Sequence, residues 1–260
     1  MATYGSYKKI VASQILDNSI PDSAFADGAG PKYNVKWIRG PIGGTTSGCC
    51  CYWTVPTGVK RVTFDVWGAG GNGHGFCSWD RCHHYFGAGG GYYSTKTIAV
   101  QEGWNYTICA GGTYPCCSYE CTGCRGCASY VNGCNLSNFC AWGGNRGCAN
   151  TSWSELCFSD WNCCISPTFN GSDFAMGNMR PAGTGPYNCH CYRHTWCAGN
   201  APFLAAGTHG GHLAECWKRC ACWTVPYASG GPGGMTTYCG NWDNGTGGIG
   251  GSGVIKITYV

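Results

Sequence analysis

Between Trp53 and Gly112 two glycine runs alternate with strand-like segments, and this alternation limits the possible folds more than any other feature. Val59 to Trp67 leads into Gly68-Ala-Gly-Gly-Asn-Gly73. After a Cys/His/aromatic insertion the chain resumes as Gly87-Ala-Gly-Gly-Gly91, Tyr92 to Val100, then Gly103-Trp-Asn-Tyr-Thr-Ile-Cys-Ala-Gly-Gly112. Val62, Phe64 and Val66 alternate with Thr63, Asp65 and Trp67, the period of two expected of a strand with one buried face. The last strand, Val254 to Val260, does the same, with Ile255, Ile257 and Tyr259 on one side and Lys256 and Thr258 on the other.

Dense glycine has three physical readings. Gly68-Ala-Gly70-Gly-Asn-Gly73 fits the dinucleotide pattern G-x-G-x-x-G, but that loop works only where a helix N-terminus receives the pyrophosphate. His74-Gly-Phe-Cys-Ser-Trp-Asp-Arg-Cys82 follows it and has no apolar helical stripe. Flexible linkage is disfavoured by the aromatic and β-branched strands bordering each run. The third reading is close packing. Polyproline-II-like chains have three residues per turn, and only glycine fits where such chains crowd together. Glycine loses more entropy on ordering than any other residue, so ordered runs imply compensating backbone contact. Packing is the reading adopted.

Composition agrees with an ordered body. Only 11% of residues are charged, 45 of 260 are glycine, and 12 Trp, 16 Tyr and 9 Phe argue against disorder. Net charge is +4 and basic residues cluster no further than pairs such as Lys60-Arg61, so a nucleic-acid partner is not expected. No apolar run is long enough to span a membrane. Residues 1–48, free of cysteine before Cys49 and broken by Gly and Pro, are read as an arm that docks on other proteins, with wrapping of its own domain as the alternative. Residues 49–260 are the β domain, and 113–223 form a cysteine-rich insertion of long loops with short strands at most.

The 24 cysteines suggest a cross-linked scaffold, yet Met1 to Ile20 shows no secretory signal. Metal binding, a removed leader, or oxidation after release from the cytosol would each reconcile the two. A particle freed by lysis fits the last. Adjacent cysteines such as Cys116-Cys117 and Cys163-Cys164 suit dense disulfides. The alternative is zinc or iron held by soft ligands at short spacing. Its candidates are Cys121, Cys124 and Cys127; Cys189, Cys191, His194 and Cys197; and His209, His212, Cys216, Cys220 and Cys222.

No paired carboxylates in a catalytic motif, G-x-S-x-G elbow, P-loop or H-E-x-x-H occurs, so an enzyme is not expected. Aromatic rings among Gly, Asn and Ser offer flat faces for sugars or protein partners. The binding candidates are Trp79, His83, His84, Tyr85, Tyr187, Trp196 and Trp242. For any one of them, filling core is the competing role.

The succession Trp-Thr-Val-Pro-x-Gly-Val, V-x-F-x-V-W-G-A-G-G, G-A-G-G-G-Y, I-x-V-x-x-G-x-x-Y-T-I-x-x-G-G and the ending Gly-Gly-Ser-Gly-Val-Ile-Lys-Ile-Thr-Tyr resembles the glycine-rich domains of tailed-phage tail-fibre and virion structural proteins. Such domains are common in phages of marine bacteria. The glycine-rich domain of the anaplastic lymphoma kinase family has a similar rhythm. The likeness covers residues 53–112 and 228–260 and leaves the cysteine-rich middle out. It implies an all-β, glycine-rich β-sandwich with polyglycine-II-like segments and an adhesive or particle-surface role. The expected protein is a tail-fibre or tail-associated adhesin, made in the host cytoplasm and carried on the virion. It would join other virion proteins in symmetric copies and meet a host glycan or protein. Capsid decoration is the main alternative, and a metal- or ice-binding protein a remoter one.

Overall fold

A computed structural model of the chain describes residues 33–41, 48–73, 84–85, 88–114, 124–147, 149–150, 171–177, 201–204, 227–230 and 248–260. All regular structure among them is β. Eleven strands occur in chain order: β1 (Asn34–Arg39), β2 (Cys49–Thr54), β3 (Arg61–Trp67), β4 (His84–Tyr85), β5 (Tyr93–Ala99), β6 (Asn105–Ala110), β7 (Ser129–Gly133), β8 (Leu136–Ala141), β9 (Ala149–Asn150), β10 (Phe174–Met176) and β11 (Val254–Tyr259). They form a five-stranded sheet β1-β11-β3-β5-β10, a four-stranded sheet β2-β6-β7-β8, and a short β4-β9 ladder, with every pairing antiparallel. Among the described residues no helix is long and apolar enough to cross a membrane.

The alternation read in β3 and β11 is realised. Val62, Phe64, Val66, Ile255 and Ile257 are all at most 1% exposed, and they share one core with Trp53, Tyr106, Ile108, Val131 and Phe139 of the smaller sheet. The inner faces therefore meet through rings: Trp53 is edge-on to Phe64 at 6.1 Å, and Phe64 lies 5.3 Å from Tyr106. Tyr106 keeps its hydroxyl satisfied by donating to Asn135 Oδ1 at 2.7 Å. Burying these side chains contributes roughly 1.5–3 kcal/mol each.

The β2–β3 and β5–β6 connections cross between the sheets side by side. Gly58 (φ 82°) and Gly103 (φ 79°) supply the left-handed conformation that each turn needs. Val55 N–H donates to Trp104 O, and Gly103 N–H donates back to Val55 O.

Two regions hold more regular structure than the residue pattern indicates. Asn34–Arg39, inside the segment read as a docking arm, pairs along the whole of β11. Within residues 113–223, β7 and β8 form a hairpin whose register shifts between Val131 and Gly133.

Candidate functional site

At the end of the molecule opposite those turns, strands of both sheets run into glycine segments. Residues 68–73, 111–114 and 142–147 leave β3, β6 and β8, while 88–92, 124–128 and 248–253 enter β5, β7 and β11. Segment 68–73 carries the clearest geometry. Gly68 donates its amide to Tyr92 O, Ala69 to Cys127 O and Gly70 to Gly251 O. The cycle then repeats, Gly71 to Gly89 O, Asn72 to Cys124 O and Gly73 to Gly248 O, all at 2.7–3.1 Å. Each neighbour is met again after three residues, and each acceptor has stepped back by three, so these neighbours run antiparallel. Gly144 and Gly147 donate to Ala69 O and Asn72 O, a parallel neighbour at the same spacing. Strand direction dictates this: segments leaving strands at one end are parallel to each other and antiparallel to those arriving.

Side-chain space follows the same period. A Cβ on Gly68 or Gly71 would fall on the carbonyls of Trp142 and Asn145, and one on Gly70 on the carbonyl of Ser229. The remaining column holds the residues with side chains, Ala69 and Asn72, both buried. Asn72 accepts from Gly250 N–H at 3.0 Å and donates to Tyr114 O at 2.9 Å, so its amide is satisfied at both ends. Gly91, Gly126, Gly144, Gly230 and Gly250 are likewise barred from a Cβ by neighbouring backbone. None of them has positive φ, so it is space that demands glycine there. Ser129, fully buried, accepts from Gly111 N–H at 2.9 Å and donates to Trp67 O at 2.6 Å, joining the two sheets beneath the glycine segments.

The outer face of the larger sheet carries the second arrangement. One register row reads Trp37, Lys256, Asp65, Thr95 and Phe174 across all five strands. Asp65 Oδ1 accepts from Tyr93 Oη and Thr95 Oγ1, both at 2.7 Å, and Lys256 Nζ stands 3.7 Å from Asp65 Oδ2. Trp37 stacks on Trp67 at 6.2 Å, Trp67 meets Tyr93 at 4.8 Å, and Tyr93 meets Phe203 at 5.1 Å. Trp67 and Tyr93 are buried, but Trp37 is 44%, Phe174 49% and Phe203 70% exposed. Phe203 also has φ 60°, a conformation in which a bulky residue is an outlier. Trp67 Nε1, donating to Pro202 O at 2.6 Å, anchors that turn.

Burial, and then the hydrogen bond to Asp65, push the Tyr93 phenol up to about 12; burial, with Cys134 nearby, does the same for Tyr106. Both pKa values are raised on folding from an ordinary 10.0, so the unfolded chain releases these protons first. Their contribution to stability is complete below pH 10 and is lost as pH rises towards 12. We expect urea midpoints to fall steeply across that window and less steeply in Tyr106→Phe. Equal slopes for the two proteins would show that Tyr106 plays no part.

Of the binding candidates, Trp79, His83, Tyr187, Trp196 and Trp242 lie outside the described residues. His84 and Tyr85 pair with Asn150 and Ala149 in the β4-β9 ladder, and their side chains also fall outside. Cys121, Cys189, Cys191, His194, Cys197, His209, His212, Cys216, Cys220 and Cys222 lie outside as well. Cys124 and Cys127 are within the glycine bundle, where their carbonyls serve segment 68–73. At about 3.1 Å rise per residue, a three-residue step in such a chain separates Cα atoms by about 9 Å. The C-x2-C spacing at Cys124 and Cys127 is therefore also the repeat of the bundle. Among the described residues no three His, Cys, Asp or Glu converge as metal ligands. Cys50 and Cys109, directly opposed on β2 and β6, form a disulfide, whereas Cys49, Cys51, Cys134 and Cys140 are thiols.

The Trp37–Phe174 row was missed by sequence reasoning because its members come from five separate strands. The available signal was the outward set Thr63, Asp65, Trp67, Lys256 and Thr258, assigned to one side of each strand but not to a shared face. Compared with protein-family models and with curated proteins, the chain matches none.

Proposed function

We propose that this chain is a phage virion structural protein, a tail-fibre or tail-associated adhesin in which a polyglycine-II-like bundle clamps the two sheets of a β-sandwich. Recognition surfaces are carried on that stiff body, and the protein works by binding and not by catalysis. The observation that carries the reading is the recurrence of amide partners every third residue along 68–73. That recurrence is the geometry of threefold chains packed side by side. Ordering so many glycines opposes folding strongly, which makes sense where rigidity is the property required. The exposed rings of Trp37 and Phe174 on the larger sheet and of Phe203 in the turn beside them favour an adhesin over a decoration protein, whose faces would be covered by neighbours.

Electron microscopy of the source particle tests this. The expected result is density for the chain at a fibre tip or particle surface, with the outer face of the five-stranded sheet turned to solvent. Finding that face sealed between capsid subunits would replace the adhesin with a decoration protein, and absence of the chain from the particle would overturn both.

A further inference from the structure

We propose that the outer face of the five-stranded sheet binds a neutral oligosaccharide laid across the strands, stacked at one end on Trp37 and at the other on Phe174 and Phe203, with Lys256 and Asp65 as the polar floor. This deepens the adhesin reading and rests on it. Strands lie about 4.8 Å apart, so the four steps from β1 to β10 set the backbones of the end residues about 19 Å apart, and their rings lean inwards from there, Trp37 to 6.2 Å from Trp67 and Phe174 to 6.3 Å from Tyr93. One sugar ring cannot touch both ends; a linear oligomer can.

The chemistry between the rings suits a polyol. A sugar offers an apolar C–H face to an aromatic ring and hydroxyls that both donate and accept. Lys256 Nζ lies 5.9 Å from the Trp37 centroid and 3.7 Å from Asp65 Oδ2, too far for a hydrogen bond to either. Lys256 is 32% exposed and reaches solvent, whereas Asp65, 13% exposed, is largely buried and holds Tyr93 and Thr95 through Oδ1. The row holds one cation and one anion, so a polyanion would meet Asp65 unfavourably. A dry protein interface would have to strip the remaining water from Lys256, the more exposed of the pair. A hydrated glycan avoids that cost.

The backbone at Phe203 is an independent pointer. Phe203 is held at φ 60°, a strained conformation for a bulky residue, and such strain gathers at ligand clamps. Here it sets a ring that is 70% exposed beside Phe174, at 6.4 Å. Burial does not explain a strained, exposed phenylalanine; presentation of a ring does.

The test is calorimetric titration of the full chain with maltohexaose, cellohexaose and chitohexaose. We expect at least one to bind. Trp37→Ala and Phe174→Ala should each weaken it about tenfold, with Trp37→Phe restoring most of the loss. Trp142→Ala, which removes an equally exposed ring outside the row, should bind as the parent does. Absence of binding to all three sugars overturns the inference, as does unchanged affinity in both alanine variants. It is also overturned if Trp37→Ala abolishes attachment to host cells whose glycans have been stripped, because the partner is then a protein. A chain found free at the particle surface that binds no sugar removes this inference alone. A chain found buried between capsid subunits removes the adhesin reading itself.

Discussion

Gly70→Ala is expected to prevent folding. The added methyl would fall on the Ser229 carbonyl, with the following amide nitrogen of Gly230 close behind it. Neither atom can yield alone, because Ser229 O accepts from Gly251 N–H and Gly251 O accepts from Gly70 itself. Moving the 227–230 segment aside would break those bonds and open the bundle along its length. Overpacking costs about 1–3 kcal/mol where a core can adjust. Each buried amide or carbonyl left without a partner adds roughly 1–3 kcal/mol. Together they exceed about 4 kcal/mol, in the range where single substitutions unfold marginal domains. Gly58→Ala provides the contrast: nothing lies within 4 Å of its Cβ position, and only its positive φ is at stake. Its cost should be about 1–2 kcal/mol. Thermal unfolding of the two variants separates the cases. A Gly70→Ala protein as stable as Gly58→Ala would mean that the segments do not touch as described.

The Cys50→Ser/Cys109→Ser double variant carries the next largest effect. The bond closes a loop of 59 residues between β2, an edge strand, and β6 inside the same sheet. Loop-closure entropy puts its contribution at about 4 kcal/mol. Both cysteines are replaced so that no unpaired thiol remains beside Cys49 and Cys51. The expected signature is a lower urea midpoint, with β2 amides exchanging ahead of those in β3 and β11. A midpoint within experimental error of the parent would show that the cross-link adds nothing to β2–β6 pairing. The same bond gives the reduced chain less stability than the oxidised one.

Both results bear on how much of the molecule was readable beforehand. β3, β6 and β11 were legible because their apolar residues alternate over at least two pleats, whereas β5, Tyr-Ser-Thr-Lys-Thr-Ile-Ala, was legible from its aromatic and β-branched content between two glycine punctuations. β7 and β8 were not: opposite Val131–Gly133, β8 carries one extra residue, so Leu136 and Phe139 are three apart and the period of two is lost. The turn that joins them, Cys134-Asn135, lacks the glycine of the common two-residue hairpin loops and so carried no strong signal. β1 was hidden because it is an edge strand whose residues, Ile38 apart, are exposed. A strand with so little burial has little alternation to display.

Among the described residues Gly68, Gly70 and Gly71 do crowd neighbouring backbone, but which glycines would do so could not be seen in the sequence. Gly-Ala-Gly-Gly-Asn-Gly contains its own register, with side chains allowed only at every third position, Ala69 and Asn72. That register has meaning only once the neighbouring segments are placed. The outer-face row was unreadable for a related reason: sequence shows which way a residue points within its strand, whereas strand order decides what stands beside it. Trp37 and Phe174 are 137 positions apart in the chain and share a row through three intervening strands.

The most direct measurement is amide hydrogen exchange resolved at Gly68, Ala69, Gly70, Gly71, Asn72 and Gly73. A segment hydrogen-bonded in turn to three fixed neighbours should exchange only when the whole protein unfolds, with protection matching that of Phe64 and Ile257. Glycine amides there that exchange at the rate of a solvated loop, while the β3 and β11 amides stay protected, would contradict the bundle and the stiff scaffold built on it.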